Sequence, residues 1–431
     1  ALVHQVRKFH AKSGVAVVMD VETAQILALV VAPSYNANEA TKVAAGVRRN
    51  RAITDVFEPG STLKPFVIAN ALENGIVDIS DTFDCEEGEY EVGGHTIRDS
   101  HPYDELDLTS IIQKSSNICT AKIAKEIGKR GIYENYRELG FGSKTKIKFP
   151  GEVSGIMRSW KKWTDVGLAT ISFGQGIANT TLQLAAAYRV LAARGVYRSP
   201  KLVLNTESPD GTVTFAEPGQ EHRVYSEKVV SQLRPMLEKV VGPGGTGWRA
   251  AIDGYRVAGK TGTAQKIDPI TKSYSSELYQ AIFAGFIPAN DPEVIIAVML
   301  DEPEPLHTGG AVAAPVFAEI AETAMRQLRV LPSPALVTQD KNLAPAGDSA
   351  EEVEVKPIYA KRDFTATTAN GAKNLPSFVG LTARESIEQF VAMGLDIDLE
   401  MNGSGFVVLQ EPRKGTNRGA VEFLRLELEH N

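Results

Sequence analysis

The chain alternates between two kinds of hydrophobic pattern. Near its start, GVAVVMD (Gly14 to Asp20) and ILALVVA (Ile26 to Ala32) are short apolar, β-branched runs joined by the polar VETAQ. Two such runs with a short polar connection predict a β-hairpin. From about Ser61 to Glu238 the pattern is mostly helical. LTSIIQ, ICTAKIAKEIGKRG and LQLAAAYRVLAARG carry apolar residues three and four apart, and the latter two end in Gly. Strands are predicted again in YRVAGKTGT, YQAIFAGFIP and EVIIAVMLD, the last two joined by the tight turn Ala289-Asn290-Asp291-Pro292. A helix is expected from about Pro315 to Arg329. Short connections between successive strands demand antiparallel neighbours, because parallel ones need a long crossover. The pattern therefore predicts an α/β fold of the α+β type: one antiparallel sheet built from both ends of the region, covered by helices, with a large helical insertion.

From about Leu331 to Lys373 the composition shifts to Pro, Ala, Thr and Glu, which reads as a linker. NLPSFVGLTARESIEQFVAMGL then opens a second module. Ala383, Ile387, Phe390 and Val391 lie on one helix face, and Thr382 with Glu385 forms a capping box. FVVLQ and VEFLRLEL are expected to be strands of the same small α+β unit. The expected organisation is residues 1–330, a linker over 331–373, and a module over 374–431.

Composition narrows the possibilities. With 431 residues, the chain is expected to hold two or three domains. At 43% hydrophobic and 23% charged it has the balance of a soluble globular protein. The net charge of −7 is spread out, with no basic stripe for nucleic acid. The longest apolar runs, ILALVVA and VIIAVML, fall far short of the roughly twenty residues that a membrane span needs. The chain opens on Ala1 rather than Met, and any targeting segment is expected to have been removed. The two cysteines, Cys85 and Cys119, are expected to be free, partly buried thiols, with a disulfide left open. The seven histidines show no metal-ligand spacing, so no zinc site is expected.

Four motifs carry candidate chemistry. GYRVAGKT (Gly254 to Thr261) fits the phosphate-binding loop G-x-x-x-x-G-K-[ST] letter for letter. Such a loop follows an apolar strand and opens a helix. Here RAAID precedes it and TGTAQKIDP follows, a poor helix start, so no nucleotide is expected. In FEPGSTLKPF, Ser61 is expected to open a helix, with Pro65 tolerated in the first turn where N–H groups lack intrahelical partners. Lys64 then shares a helix face with Ser61, which suits a nucleophile and its base once burial and a second cation lower the lysine pKa. Ser143/Lys146 and Ser159/Lys162 have the same spacing, so the pair alone is a weak signal. Ser115-Ser116-Asn117 lies between two helical patterns, where short polar residues normally cap. Lys260-Thr261-Gly262-Thr263 lies on a strand, and Gly262 leaves room for another backbone to approach.

In this order, Ser61/Lys64, Ser115/Asn117 and Lys260-Thr261-Gly262 resemble the S-x-x-K, S-D-N and K-T-G signature of penicillin-binding proteins and class A β-lactamases. EPGSTLKP, DSHPYDELDLTSIIQKSSN, SFGQGIANTTLQLAAAY, GKTGTAQ and GGAVAAPVF extend the resemblance, from about Ser13 to Leu328, to the transpeptidase domain of class B penicillin-binding proteins, and most of all to the division-specific cell-wall transpeptidases. The tail from Asn374 resembles a PASTA domain. The chain departs from the family in three ways, one being that it carries only one PASTA-like unit. Thr180-Thr181 stands where relatives commonly carry Thr-Pro, and most of the N-terminal anchor and pedestal is missing.

The resemblance implies a substrate, peptidoglycan stem peptides ending in D-Ala-D-Ala, and inhibitors, the β-lactam antibiotics. It implies Ser61 as nucleophile and Lys64 as general base, with the backbone N–H groups of Ser61 and Thr263 as oxyanion hole. Ser115 relays a proton, helped by Lys260. Asn117 holds the peptide backbone, and Thr261, Gly262 and Thr263 receive the terminal carboxylate. No metal or cofactor enters this chemistry. The expected location is the outer, periplasmic face of the cytoplasmic membrane, held by an N-terminal segment absent from this chain, among division or cell-wall synthesis proteins. A D,D-carboxypeptidase or a β-lactam sensor would use the same serine site. A class A β-lactamase would need a Glu-held water, and no Glu is assigned to hold one.

Overall fold

The computed structural model describes residues 1–333 apart from 217–218 and 269–270, and beyond these 375–379, 381, 386, 389–390, 398–403, 406–412, 416–417 and 423–429. The chain opens with helix α1 (Leu2–Lys8), then β1 (Ser13–Asp20) and β2 (Ile26–Ala32), the expected antiparallel hairpin. Single turns α2 (Ala45–Arg48) and α3 (Arg51–Thr54) lead to a 3₁₀ turn, Gly60–Leu63, which runs into α4 (Lys64–Glu73). Next come β3 (Thr82–Asp84), β4 (Glu89–Val92), β5 (His95–Arg98) and β6 (Glu105–Asp107), two nested ladders of β3 with β6 and β4 with β5. The helical body is α5 (Leu108–Lys114), α6 (Asn117–Glu138), α7 (Asp165–Ser172) and α8 (Thr181–Ala192). Short strands β7 (Val196–Arg198), β8 (Asn205–Glu207), β9 (Val213–Phe215) and β10 (Glu221–Arg223) precede α9 (Glu227–Val241). The chain returns to β11 (Ala258–Ile267), β12 (Tyr274–Ile287) and β13 (Val294–Asp301), and α10 (Gly309–Gln327) follows.

The sheet is assembled from both ends of this region. Its order is β11-β12-β13-β1-β2, every pair antiparallel, with Val15 opposite Met299 at the β1–β13 join. Helices cover both faces. Val15, Val17, Ile295, Ala297 and Met299 pack on one side with α4 and α8. Ala16, Val18, Ile296, Val298 and Leu300 pack on the other with Leu2 of α1 and Phe317 of α10. A strand buried on both faces cannot alternate apolar with polar, which is why VAVVM and VIIAVML read as continuous apolar runs. Every residue of α8 is buried, so LQLAAAYRVLA is the core of the insertion.

Three expectations change. Helix α10 begins at Gly309, six residues before Pro315, which therefore sits inside the helix. Two glycines look like a poor start, but packing requires them. A Cβ on Gly309 would lie 2.2 Å from the Ile282 carbonyl oxygen, and one on Gly310 would lie 2.1 Å from that of Thr246. Second, Cys85 and Cys119 are not free thiols; they form a disulfide. They are 34 residues apart, and the turn after β3 folds back onto α6 to bring their Cα atoms to 5.3 Å. Third, among the described residues the mostly helical region contains eight short strands, each only three or four residues long and largely exposed, too short to leave a period.

The chain divides into two compact units, Ala1–Asp348 and Ser349–Asn431. In the second, β14 (Asp398–Gly403), β16 (Phe423–Glu429) and β15 (Phe406–Glu411) form a sheet in that order, β14 parallel and β15 antiparallel to β16. Leu375, Phe378, Val407, Leu424, Leu426 and Leu428 make its core. FVVLQ and VEFLRLEL thus supply strands. The helix expected around Ala383–Val391, with its Thr382/Glu385 box, lies mainly outside the described residues, as does nearly all of the 331–373 linker.

Helix α8 starts with a complete capping box: the Thr180 hydroxyl accepts from Gln183 N–H while the Gln183 side chain accepts from Thr180 N–H. Thr180→Ala leaves these buried donors short of one acceptor and is expected to cost about 1 kcal/mol. Urea denaturation checks this; an unchanged midpoint would show that the box is not holding α8.

Candidate active site

The site is built where three elements meet without side chains to separate them. Gly60 adopts φ +55 and donates its N–H to the Gly174 carbonyl at 3.1 Å. Gly174, in SFGQG, has φ +85, and a Cβ there would lie 2.1 Å from the Gly60 oxygen. Only glycine meets both demands. The Thr62 hydroxyl donates to Pro59 O at 2.8 Å, and the Tyr188 hydroxyl from α8 donates to Thr62 O at 2.8 Å. These bonds fix the 3₁₀ turn that carries Ser61. Contrary to expectation, Ser61 does not open the helix: it lies in the 3₁₀ turn and Lys64 opens α4, with Pro65 in its first turn as expected.

The second element is the α5–α6 junction. Ser115 ends α5 in the left-handed region, φ 65 and ψ 41, and Ser116 caps α6 by accepting from Cys119 N–H at 3.0 Å. The capping expectation therefore holds for Ser116. That leaves Ser115 and Asn117 turned to other partners. Lys64 Nζ donates to the Ser115 carbonyl, to Ser115 Oγ at 3.1 Å and to Asn117 Oδ1 at 2.8 Å. Asn117 Nδ2 donates to Arg98 O at 2.8 Å, so each end of its amide has one partner and one hydrogen-bonding site left.

The third element is β11, an edge strand with one side unpaired by any strand. Lys260 Nζ donates to Ser115 Oγ at 2.9 Å. Gly262 allows the close approach its position implies: a Cβ there would meet Pro59 O at 2.8 Å and Thr62 Cγ2 at 2.9 Å. Thr263 is exposed and its hydroxyl accepts from Gly309 N–H at 3.1 Å. Thr261 is buried and its hydroxyl shares a 2.7 Å bond with Thr246. Ser61, Asn117 and Thr263 border a cavity of about 390 Å³, with His95, Thr170 and Phe173 among its other walls.

Electrostatics separates the two lysines, both fully buried. Burial pushes Lys64 well below the ordinary lysine range, and the Lys260 charge pushes it further, against a smaller upward pull from Asp99. Burial alone pushes Lys260 down to about 7. Both lysines are thus biased toward the neutral amine, Lys64 by burial and by its charged neighbour. Ser115 Oγ has two lone pairs and one O–H. When both lysines donate to it, its own O–H is free to donate into the cleft. The Ser61 hydroxyl makes no hydrogen bond to Lys64, which Ser115 and Asn117 hold instead.

The motif spacing brings Ser61, Lys64, Ser115, Asn117 and Lys260 together, and the decoys fall away. Lys146 and Lys162 are exposed, whereas Lys64 is fully buried. GYRVAGKT does not form a phosphate loop: Gly259, Lys260 and Thr261 lie inside β11. Sequence reasoning missed Asp99. Its carboxylate accepts from Ser116 Oγ at 2.6 Å, Asn117 N–H at 2.5 Å and Ile118 N–H at 3.2 Å, capping α6 from a distant segment. It also missed Glu58, which accepts from Gly176 N–H and from the Tyr274 hydroxyl of β12 and is pushed up by burial. Neither residue has a local spacing to betray it.

The penicillin-binding protein transpeptidase domain matches residues 14–322. The chain is 40% identical over 333 residues to peptidoglycan D,D-transpeptidase FtsI of Escherichia coli, an alignment covering 77% of this chain and 54% of that protein. It is 39% identical over 327 residues to the probable peptidoglycan D,D-transpeptidase PenA of Neisseria gonorrhoeae, covering 76% and 54%. Among solved structures, the apo transpeptidase domain of Burkholderia pseudomallei penicillin-binding protein 3 is 37% identical with a TM-score of 0.68, covering 77% of this chain and 93% of that one. Mycobacterium tuberculosis penicillin-binding protein 3 complexed with ampicillin is 30% identical with a TM-score of 0.73, covering 79% and 78%. The chain belongs to the penicillin-binding protein transpeptidase family. It spans about half the length of the curated relatives FtsI and PenA just described.

The Lys260 shift has a measurable sign. An unfolded lysine keeps its proton to about pH 10.4, whereas folded Lys260 releases it near 7. Between those values the unfolded chain binds more protons, so stability rises with pH across the window. From pH 7 to 9 the unfolding free energy of the wild type is expected to climb about 2 kcal/mol more than that of Lys260→Met. Parallel slopes in urea titrations would mean that Lys260 does not titrate there.

Proposed function

We propose that this chain is a serine D,D-transpeptidase that cross-links peptidoglycan stem peptides ending in D-Ala-D-Ala, at the outer face of the cytoplasmic membrane and during division. The observation that carries the reading is the meeting of two buried lysines on Ser115 Oγ, beside Ser61 in an open cleft. A buried neutral amine is a base, and a second amine near pH 7 is a proton source.

Ser61 Oγ attacks the penultimate carbonyl carbon, and its proton passes to Lys64. The oxyanion is received by the N–H groups of Ser61 and Thr263. As the C–N bond breaks, the Ser115 hydroxyl gives its proton to the departing D-Ala amine, and Lys260 restores it. Thr263, with Thr261 and Gly262 behind it on the same strand, receives the terminal carboxylate under the positive potential of Lys260. Asn117 holds the peptide backbone. An amine of a neighbouring stem peptide then attacks the acyl-serine ester; its proton passes through Ser115 to Lys260, the ester C–O bond breaks, and the proton on Lys64 returns to Ser61 Oγ, leaving the cross-link and the free serine. A β-lactam enters the same path, and its opened ring leaves the ester blocked.

Support for the substrate and inhibitors comes from the transpeptidase names of FtsI and PenA and from the ampicillin complex of the mycobacterial relative. The buried Cys85–Cys119 disulfide supports an oxidising compartment outside the cytoplasm. Among the described residues no helix is long and apolar enough to cross a membrane. The tail over 374–431 is proposed to be a PASTA module that binds wall fragments or packs on the catalytic domain. Its supports are the sequence resemblance and the small sheet around Leu424 and Leu426.

Incubation with benzylpenicillin is expected to give a one-equivalent mass increase, mapped to Ser61 and absent in Ser61→Ala. An adduct retained in that variant would remove Ser61 from the reaction. With a stem pentapeptide and an amine acceptor, D-Ala release is expected to accompany a cross-linked product. Release with hydrolysis alone would make the chain a carboxypeptidase.

A further inference from the structure

The segment between α4 and α5 forms one side of the cleft. It is thinly packed: β3, β4 and β6 carry no buried residue, and β5 carries only Ile97. Ile97 joins a small cluster with Ile118, Ala121, Ala169 and Phe173, apart from the main core. Yet this segment supplies a cavity wall through His95 to Arg98, the carbonyl that holds the Asn117 amide, and the carboxylate that caps α6. So little apolar burial is a weak hold for so many functions.

The disulfide supplies a second hold. Cys85 stands at the turn after β3, and Cys119 in the first turn of α6; both are fully buried. From Cys85 the connection runs on through backbone bonds. Gly88 N–H donates to Cys85 O at 3.1 Å, and Asp99 N–H donates to Gly88 O at 3.2 Å. The Asp99 carboxylate then returns to Ser116, Asn117 and Ile118. The segment is therefore tied to the first turn of α6 covalently at Cys119, by the Asp99 carboxylate at Ser116, Asn117 and Ile118, and by Arg98 O at the Asn117 amide. Asn117, which takes a hydrogen bond from Lys64, lies inside that ring.

We propose that the Cys85–Cys119 disulfide is a positioning crosslink for acyl transfer, fixing the cleft wall and the Asp99 cap against α6 and with them Asn117 and Lys64. This rests on the acyl-serine reading above. It makes activity depend on thiol oxidation. The chain emerges with two thiols. A small-molecule or protein disulfide oxidises them, its own S–S bond breaking as the Cys85–Cys119 bond forms, and the two thiol hydrogens end on the sulfurs of the reduced oxidant.

The test compares the full chain with Cys85→Ala/Cys119→Ala. The second-order rate of Ser61 acylation by benzylpenicillin is expected to fall about tenfold to a hundredfold, the usual effect of small misplacement in an active site. Amide hydrogen exchange is expected to rise over residues 86–104 and at Asn117 and Ile118, and to stay unchanged in β12 and β13. The acid limb of the acylation rate is expected to move to lower pH, as in Asp99→Asn. Asp99 and Lys260 are the charges acting on Lys64, and slackening Asp99 removes the one that favours its protonated form. Wild-type protein reduced by a phosphine in mild urea, then returned to reducing buffer, gives the same comparison if the variant does not fold. Two alkylatable thiols in the oxidised chain, or unchanged exchange in that segment, would overturn the proposal. So would an unchanged acylation rate and limb beside normal wild-type acylation, which would leave the transpeptidase reading standing. Absent acylation of the wild type sinks that reading instead, and the exchange data alone then decide whether the crosslink holds the wall.

Discussion

Two lysine side chains, shut away from water, meet at one serine hydroxyl. The arrangement at the site follows from that constraint. Two desolvated ammonium groups so close together repel, and removing a proton from one relieves both burial and repulsion. Lys64 lies in the first turn of a fully buried stretch of α4 and is pushed down by burial and by Lys260, and burial pushes Lys260 down to about 7. The same hydroxyl that joins the amines is held in a left-handed residue between two helices, so its position is set by backbone rather than by a free side chain.

Keeping such a cluster together needs backbone contact where side chains would normally intervene. Gly60, Gly174 and Gly262 provide it, each lacking a Cβ that would collide with a neighbour's backbone or, at Gly60, strain a left-handed turn. The sheet supplies rigidity behind β11 through its two covered faces, and α8 supplies it behind the Ser61 turn through Tyr188. The helical insertion and the sheet thus meet along a line of glycines, and the cleft opens where that line reaches the surface.

What the sequence displayed depended on how local the cause was. The central strands were legible because burial on both faces leaves unbroken apolar runs, and α6 and α8 because their faces repeat at helical spacing. Ser61, Lys64, Ser115, Asn117 and Lys260 were legible as an ordered set, although each motif alone had a bland reading, and the capping reading was correct for Ser116. Asp99 was not legible, because its partners lie at the start of a helix far along the chain and no spacing rule links them. The disulfide was hidden for a related reason: two cysteines show a pair only once β3 to β6 have folded back on α6. The start of α10 was misread because its glycines, which look like helix breakers, are demanded by the carbonyls of Ile282 and Thr246.

The register of the sheet also fixes when the site can exist. β1 is made first, yet its partner β13 begins only at Val294, and Lys260 arrives on β11 just before it. A growing chain that already carries Ser61, Lys64 and Ser115 has a sheet of two strands and one lysine at the hydroxyl. Such long-range pairing is slow, because a large loop must close before any contact rewards it. The last strands of the domain therefore complete both the sheet and the contact of Lys260 with Ser115 Oγ.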